Sequence, residues 1–166
     1  MLTSDLALIV ASALFFGLCV AIAWSDMRHR RIPNRFILLL ILGAPLLLIG
    51  GQMTPKTMAA SFALALCLFF VGSQLFARGW IGGGDVKLIC ALVLWFPPGP
   101  ALWFVYLALL FGGVLALIVL VLRLAARRGL VTIGSAQRRL LEETLCVPYG
   151  VSICAAAAVS FITLWF

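Results

Sequence analysis

Charge is what this chain has least of. Only 10% of its 166 residues are Asp, Glu, Lys or Arg, five of them acidic, and a single histidine is present. With 65% hydrophobic residues and a mean hydropathy of +1.23, the chain lacks the polar surface that a water-soluble globule needs. An integral membrane protein is the class that remains. One histidine, His29, leaves no imidazole cluster for a metal and no nearby cysteine for a Cys–His site, and it reads as a loop residue. The five cysteines, Cys19, Cys67, Cys90, Cys146 and Cys154, form no CxxC pair, so neither a metal ribbon nor a disulfide framework is expected. They read as small packing residues, and no cofactor is expected. Lys and Arg are missing ahead of Arg28, and the first apolar run is longer than the core of a secretion signal, so this segment is expected to remain as a membrane helix.

What the sequence does have is apolar runs of membrane length. A spanning helix needs about 20 such residues, and the interruptions mark six candidate spans: Leu6 to Trp24, Phe36 to Gly50, Met58 to Phe76, Val86 to Phe96, Ala101 to Leu122 and Tyr149 to Trp165. The expected fold is therefore an all-α integral membrane protein with about six transmembrane helices, a single polytopic domain over residues 1–166 without a second, soluble domain. The fourth run is too short to cross alone. It implies that the glycine-rich stretch before it lies beside a cavity, because non-helical backbone at membrane depth needs cover from protein or water.

Basic residues orient these spans. Arg28, Arg30, Arg31 and Arg35 follow the first, Arg78 and Lys87 flank the loop after the third, and Arg123, Arg127, Arg128, Arg138 and Arg139 follow the fifth. Eleven of the 12 basic residues thus fall on one side, with Lys56 alone on the other. By the positive-inside rule that side is cytosolic, and both termini are expected on the non-cytosolic side. The net charge of +7 accordingly reflects cytosolic loops rather than nucleic-acid binding. All five tryptophans, Trp24, Trp80, Trp95, Trp103 and Trp165, fall near span ends, as in an interfacial aromatic belt. Between the last two spans, Ser135 is a candidate N-cap. Arg138 with Glu142 and Arg139 with Glu143 stand at i,i+4 spacing, so a short interfacial helix with a solvated charged face is expected there.

Setting those glutamates aside leaves Asp5 at the N-terminal tip, Asp26 in "AWSDMRHRRIPNRF" and Asp85 in "GGGDVKL". Asp26 and Asp85 both fall at the cytosolic membrane edge, where an ionisable group is costly and marks a functional candidate. Singly, each also reads as a helix cap or an arginine partner. As a pair they suit water activation, since two neighbouring carboxylates do not both ionise readily and one retains a proton. Gly82, Gly83 and Gly84 offer a backbone able to adopt positive φ and to admit a substrate strand, or simply a flexible turn. Lys87 reads either as a cation near the aspartates or as a snorkelling interface lysine. Pro33 is expected to start the second span by its fixed φ, Asn34 by capping it, and Pro148 and Gly150 to set the start of the sixth span.

Taken together, "DMRHRRIPN" at Asp26 to Asn34, "GGGDVKL" at Gly82 to Leu88 and "VPYG" at Val147 to Gly150 resemble the type IV prepilin peptidases. The resemblance implies that Asp26 and Asp85 are the two catalytic aspartates, with Gly82 and Gly84 the glycines of a G-x-G-D motif. It further implies an aspartic endopeptidase of the bacterial cytoplasmic membrane that removes the leader of prepilins or pseudopilins at the cytosolic face. The cysteine-tetrad segment of the larger, methylating members has no counterpart here, so the chain resembles the compact stand-alone peptidases of Tad/Flp pilus systems. Two other readings stand beside this one: a presenilin-like or signal-peptide-peptidase-like intramembrane protease, and a non-enzymatic transporter or assembly factor whose aspartates bind a cation.

Overall fold

The computed structural model describes residues 2–127 and 149–165. Among the described residues the chain is helical with no strand: α1 (Leu2–His29), α2 (Asn34–Gly43), α3 (Leu46–Ile49), α4 (Pro55–Ala77), α5 (Gly83–Val93), α6 (Pro98–Arg127) and α7 (Tyr149–Trp165). Three stretches, Asp5–His29, Pro55–Ala77 and Pro98–Leu122, are long and apolar enough to cross a bilayer. Asn34–Ile49 and Tyr149–Trp165 are shorter apolar helical segments. The long helices also turn large apolar side chains outward: Leu6, Ile9 and Val20 on α1, Phe62 and Phe70 on α4, and Leu109 and Leu117 on α6 are exposed. Such faces suit hydrocarbon, and in water they would be aggregation surfaces.

Local chemistry sets the boundaries. Thr54 caps α4, its Oγ1 accepting the Thr57 amide at 3.2 Å, with Pro55 in the first helical position. α4 ends where Gly79 takes φ +74° and the Gly79 and Trp80 amides donate back to Phe76 and Leu75. The second apolar run splits into α2 and α3 at Ala44–Pro45, since Pro45 has no amide to continue the helical ladder.

α5 is the centre of the molecule. At 11 residues it is only about 16 Å long, yet it packs against α2, α4, α6 and α7, and Ala91 to Phe96 are all buried. α4 comes close because Gly72 has no side chain, and a Cβ there would lie 2.6 Å from a Val86 methyl. Below the C-terminal end of α5, Trp95 and Phe96 enter an aromatic cluster in which Phe15 stacks on Phe161 at 4.4 Å and Phe96 on Phe104 at 5.4 Å. Ser61 Oγ donates to the Phe96 carbonyl at 2.7 Å, and Trp95 Nε1 donates to the Leu40 carbonyl at 3.0 Å. Around this core, α1 lies along α7, α2 and α3, and α6 lies along α7.

The structure corrects two expectations and leaves one outside its range. Trp95 is fully buried rather than interfacial, because its indole N–H finds a backbone acceptor inside the core, whereas Trp24, Trp80 and Trp103 are exposed. His29 belongs to the last turn of α1 rather than to a loop. The expected interfacial helix with Arg138, Arg139, Glu142 and Glu143, together with Cys146 and Pro148, lies outside the described residues.

Trp95 therefore provides a test of the core. Trp95→Ala is expected to cost about 3–5 kcal/mol of stability in detergent, and Trp95→Phe only about 1 kcal/mol, since the Leu40 carbonyl keeps the Ala44 amide as a partner. Equal losses of melting temperature for the two variants would show that the ring volume is not what holds α5.

Candidate functional site

Three chain segments meet at one end of the bundle: the last turn of α1 with the loop that follows, the first turn of α5, and the start of α7. Arg30 ends α1 with φ +50°, its amide donating to the Asp26 carbonyl at 2.9 Å, and Ser25 Oγ holds the loop by donating to the Arg31 carbonyl at 2.9 Å. Between these segments lies a cavity of about 420 Å³, lined by Asp26 and Asp85, by the backbone of Gly82 to Gly84, and by Arg30, Arg31 and Lys87. It has room for water and a stretch of peptide, since a single water needs only some 30 Å³.

Asp26 is buried, and its position within α1 is unfavourable by itself, because a carboxylate in a helix's last turn faces the negative end of the helix dipole. Its partner comes from 124 residues further along the chain: Oδ2 accepts the Gly150 amide at 2.8 Å, and the Val151 amide is also directed at it. Two amides at the start of α7 satisfy donors that a helix N-terminus leaves unpaired. Gly150 must be glycine for this approach, since a Cβ would stand 2.8 Å from Oδ2 and 3.0 Å from Cγ of Asp26.

Asp85 occupies the third position of α5, ahead of its apolar run and outside the three membrane-long helices. Burial, reinforced by the nearby charge of Asp26, pushes its carboxyl up to about 6 from the usual 3.8. Among the described residues no hydrogen bond joins the two carboxylates directly, and both line the same cavity.

The glycines before Asp85 act otherwise than expected. None takes positive φ: Gly82 caps α5 at φ −70°, ψ 136°, its carbonyl accepting the Asp85 and Val86 amides, and Gly83 and Gly84 are helical. Their absent side chains are what counts at two of the three positions, since a Cβ on Gly82 would lie 2.8 Å from Asp85 Oδ2 and one on Gly83 3.2 Å from the Phe76 ring. At Gly84 a Cβ would meet only ordinary contacts with Ile32. Asn34 makes no cap. The N-cap of α2 is Pro33, in extended conformation, while Asn34 is the first helical residue and lines the cavity. Lys87 is exposed at the rim. Asp5 lies in the first turn of α1, exposed and at the far end of that helix from Asp26.

Sequence reasoning missed two members of the site. In the sequence Gly150 reads only as setting the start of the last span, and Tyr149, which lines the same cavity, carries no signal of its own. The "VPYG" run was the available signal, but no local pattern links it to Asp26.

Membrane-length helices around a cavity lined by two carboxylates from different helices define a helical membrane protein. The profile of the type IV leader peptidase family matches residues 13–117, a range that includes Asp26, the three glycines and Asp85. The chain belongs to that family and is a peptidase by descent. Searches of curated proteins and of solved structures returned no match.

Two outcomes follow from this geometry. A carboxyl whose pKa is about 6 in the fold and 3.8 when unfolded favours the folded state at low pH, an advantage fully present below about pH 4 and lost as pH rises through about 6. Asp85→Asn is thus expected to be more stable than the parent by roughly 2–3 kcal/mol at pH 8 and equal to it at pH 4, as melting curves in detergent at the two pH values will show. Gly150→Ala is expected to displace the Asp26 carboxylate while the protein still inserts and purifies, cutting peptidase activity by roughly 10²-fold, the scale on which an ångström's displacement within a site acts.

Proposed function

We propose that this protein is an aspartic endopeptidase that removes the leader peptide from prepilins or pseudopilins at the cytosolic face of the bacterial cytoplasmic membrane. The observation that carries the reading is the meeting of Asp26 and Asp85 in one cavity, edged by arginines of one loop and glycines of another. In this mechanism Asp26, held by the amides of α7, is the ionised member that takes a proton from water, and Asp85, the more weakly acidic, donates a proton to the scissile carbonyl. The water attacks the carbonyl carbon; as the tetrahedral species collapses, Asp26 gives its proton to the leaving amine nitrogen and Asp85 takes back the proton of the hydroxyl that becomes the new carboxyl, with no covalent enzyme intermediate. Apparent pKa values in a pH–rate profile belong to the pair.

The orientation rests on charge. The loop after α1 carries Arg30 and Arg31 to the cavity and the start of α5 carries Lys87, and by the positive-inside rule this end of a six-span bundle faces the cytosol with both termini opposite. The chain acts as one peptidase domain of the compact Tad/Flp type, without a methyltransferase domain, and Lys87, Pro33 and Asn34 shape the rim. Asp26 in the last turn of α1 and Asp85 in the first turn of α5 sit at helix ends, which suits a junction at the membrane edge better than cleavage at mid-bilayer depth. No metal or other cofactor takes part, and nucleic acid is not a partner.

Co-expression with a candidate prepilin, followed by leader loss on a gel, tests the reading. The parent is expected to cut, and Asp26→Asn and Asp85→Asn to fall by at least about 10³-fold while still inserting in the membrane, the scale of losing an essential acid or base. Cutting at the parent's rate by either variant would make that aspartate structural.

A further inference from the structure

A second cavity adjoins the first. It measures about 310 Å³ and lies between α5, α6 and α7, with Ile89, Leu109 and Ile153 on its walls. Gly82, Asp85 and Tyr149 line both spaces. Asp85 therefore has the charged cavity on one side and an apolar groove on the other. Tyr149 stands at the boundary, its ring held over α6 because Gly112 has no side chain: a Cβ there would lie 3.1 Å from the ring. One helical step on, Gly113 lines the groove with nothing within 4 Å of where its Cβ would be.

We propose that this groove is the specificity pocket of the peptidase, receiving the first apolar side chains of the substrate beyond the scissile bond. The inference rests on the peptidase reading above and adds where the substrate's apolar flank is read. Geometry limits the occupant. A scissile carbonyl placed between Asp26 and Asp85 has one flank in the charged cavity, and the space open to the other flank, past Asp85 and Tyr149, is apolar. The groove's volume lies at the low end of the roughly 300–1,000 Å³ of small-ligand pockets, which suits a few side chains rather than a whole helix. A lipid chain would fill the apolar walls equally well, but it would gain nothing from a carboxyl at the groove's inner end. A peptide whose backbone must reach that carboxyl does.

The test uses the full-length protein in proteoliposomes and two peptides that share a leader and junction, one with Phe and Leu after the cut and one with Ser at those positions. The parent is expected to prefer the apolar peptide by at least about tenfold in kcat/KM, carried mainly by KM, which is the usual return on filling an apolar pocket. Gly113→Ala is expected to reduce that ratio and Gly113→Leu, which fills the groove, to bring it close to one. Equal cleavage of both peptides by the parent, or an unchanged ratio in Gly113→Leu, overturns the proposal while leaving the peptidase reading intact. If the parent cuts neither peptide, both fall together. A photoreactive phenylalanine analogue placed first after the cut, bound to Asp85→Asn, provides a readout independent of turnover. It is expected to label α6 near Leu109 and Gly113, and labelling confined to lipid or to α1 overturns the assignment.

Discussion

The hydrogen bond from the Gly150 amide to the Asp26 carboxylate is the constraint on which the site depends. It joins the last turn of α1 to the first turn of α7, the two segments that bring opposite ends of the chain to one place. Each helix supplies what the other lacks: α1 carries a carboxylate at the wrong end of its own dipole, and α7 begins with amides that have no partner of their own. In the low dielectric of a membrane protein neither group would be tolerated alone. Their pairing closes the bundle and aims a carboxylate oxygen into the cavity with a single geometry.

α5 supplies the other half at a cost. It is too short to span the bilayer, and its surroundings are protein on nearly all sides, so its first turn sits at a depth where irregular backbone needs cover. Burial holds Asp85 weakly acidic, a penalty in stability that also equips it to retain a proton beside a charged neighbour. Small residues make the arrangement possible. Gly72 lets α4 approach α5, Gly82 leaves space for the Asp85 carboxylate, and Gly150 leaves space for that of Asp26.

Much of this was legible from local pattern. The six apolar runs coincide with helical segments, since hydropathy over some 20 residues is a local property and a bilayer leaves the backbone few alternatives. Asp26, Asp85 and the glycines stood out because acidic residues are so scarce in the chain, and the structure places them around one cavity. Other particulars were misread for equally physical reasons. Trp95 resembles a belt tryptophan until the Leu40 carbonyl is found beside its indole, and Asn34 resembles a cap until Pro33 takes that position. The triple glycine suggests positive φ, whereas Gly82 is extended and Gly83 and Gly84 are helical, and at Gly82 and Gly83 the need is for missing Cβ atoms.

The amino-acid sequence by itself determined the class, the helical segments, and which few ionisable residues lie at segment ends, because each of these follows from composition and spacing along the chain. Tertiary structure alone decided that α1 and α7 share a hydrogen bond, that Asp85 lies between a charged cavity and an apolar groove, and that Tyr149 divides them. Those facts depend on contacts between residues far apart in the chain. Close packing and the satisfaction of buried polar groups select such contacts, and neither leaves a periodic trace in the sequence.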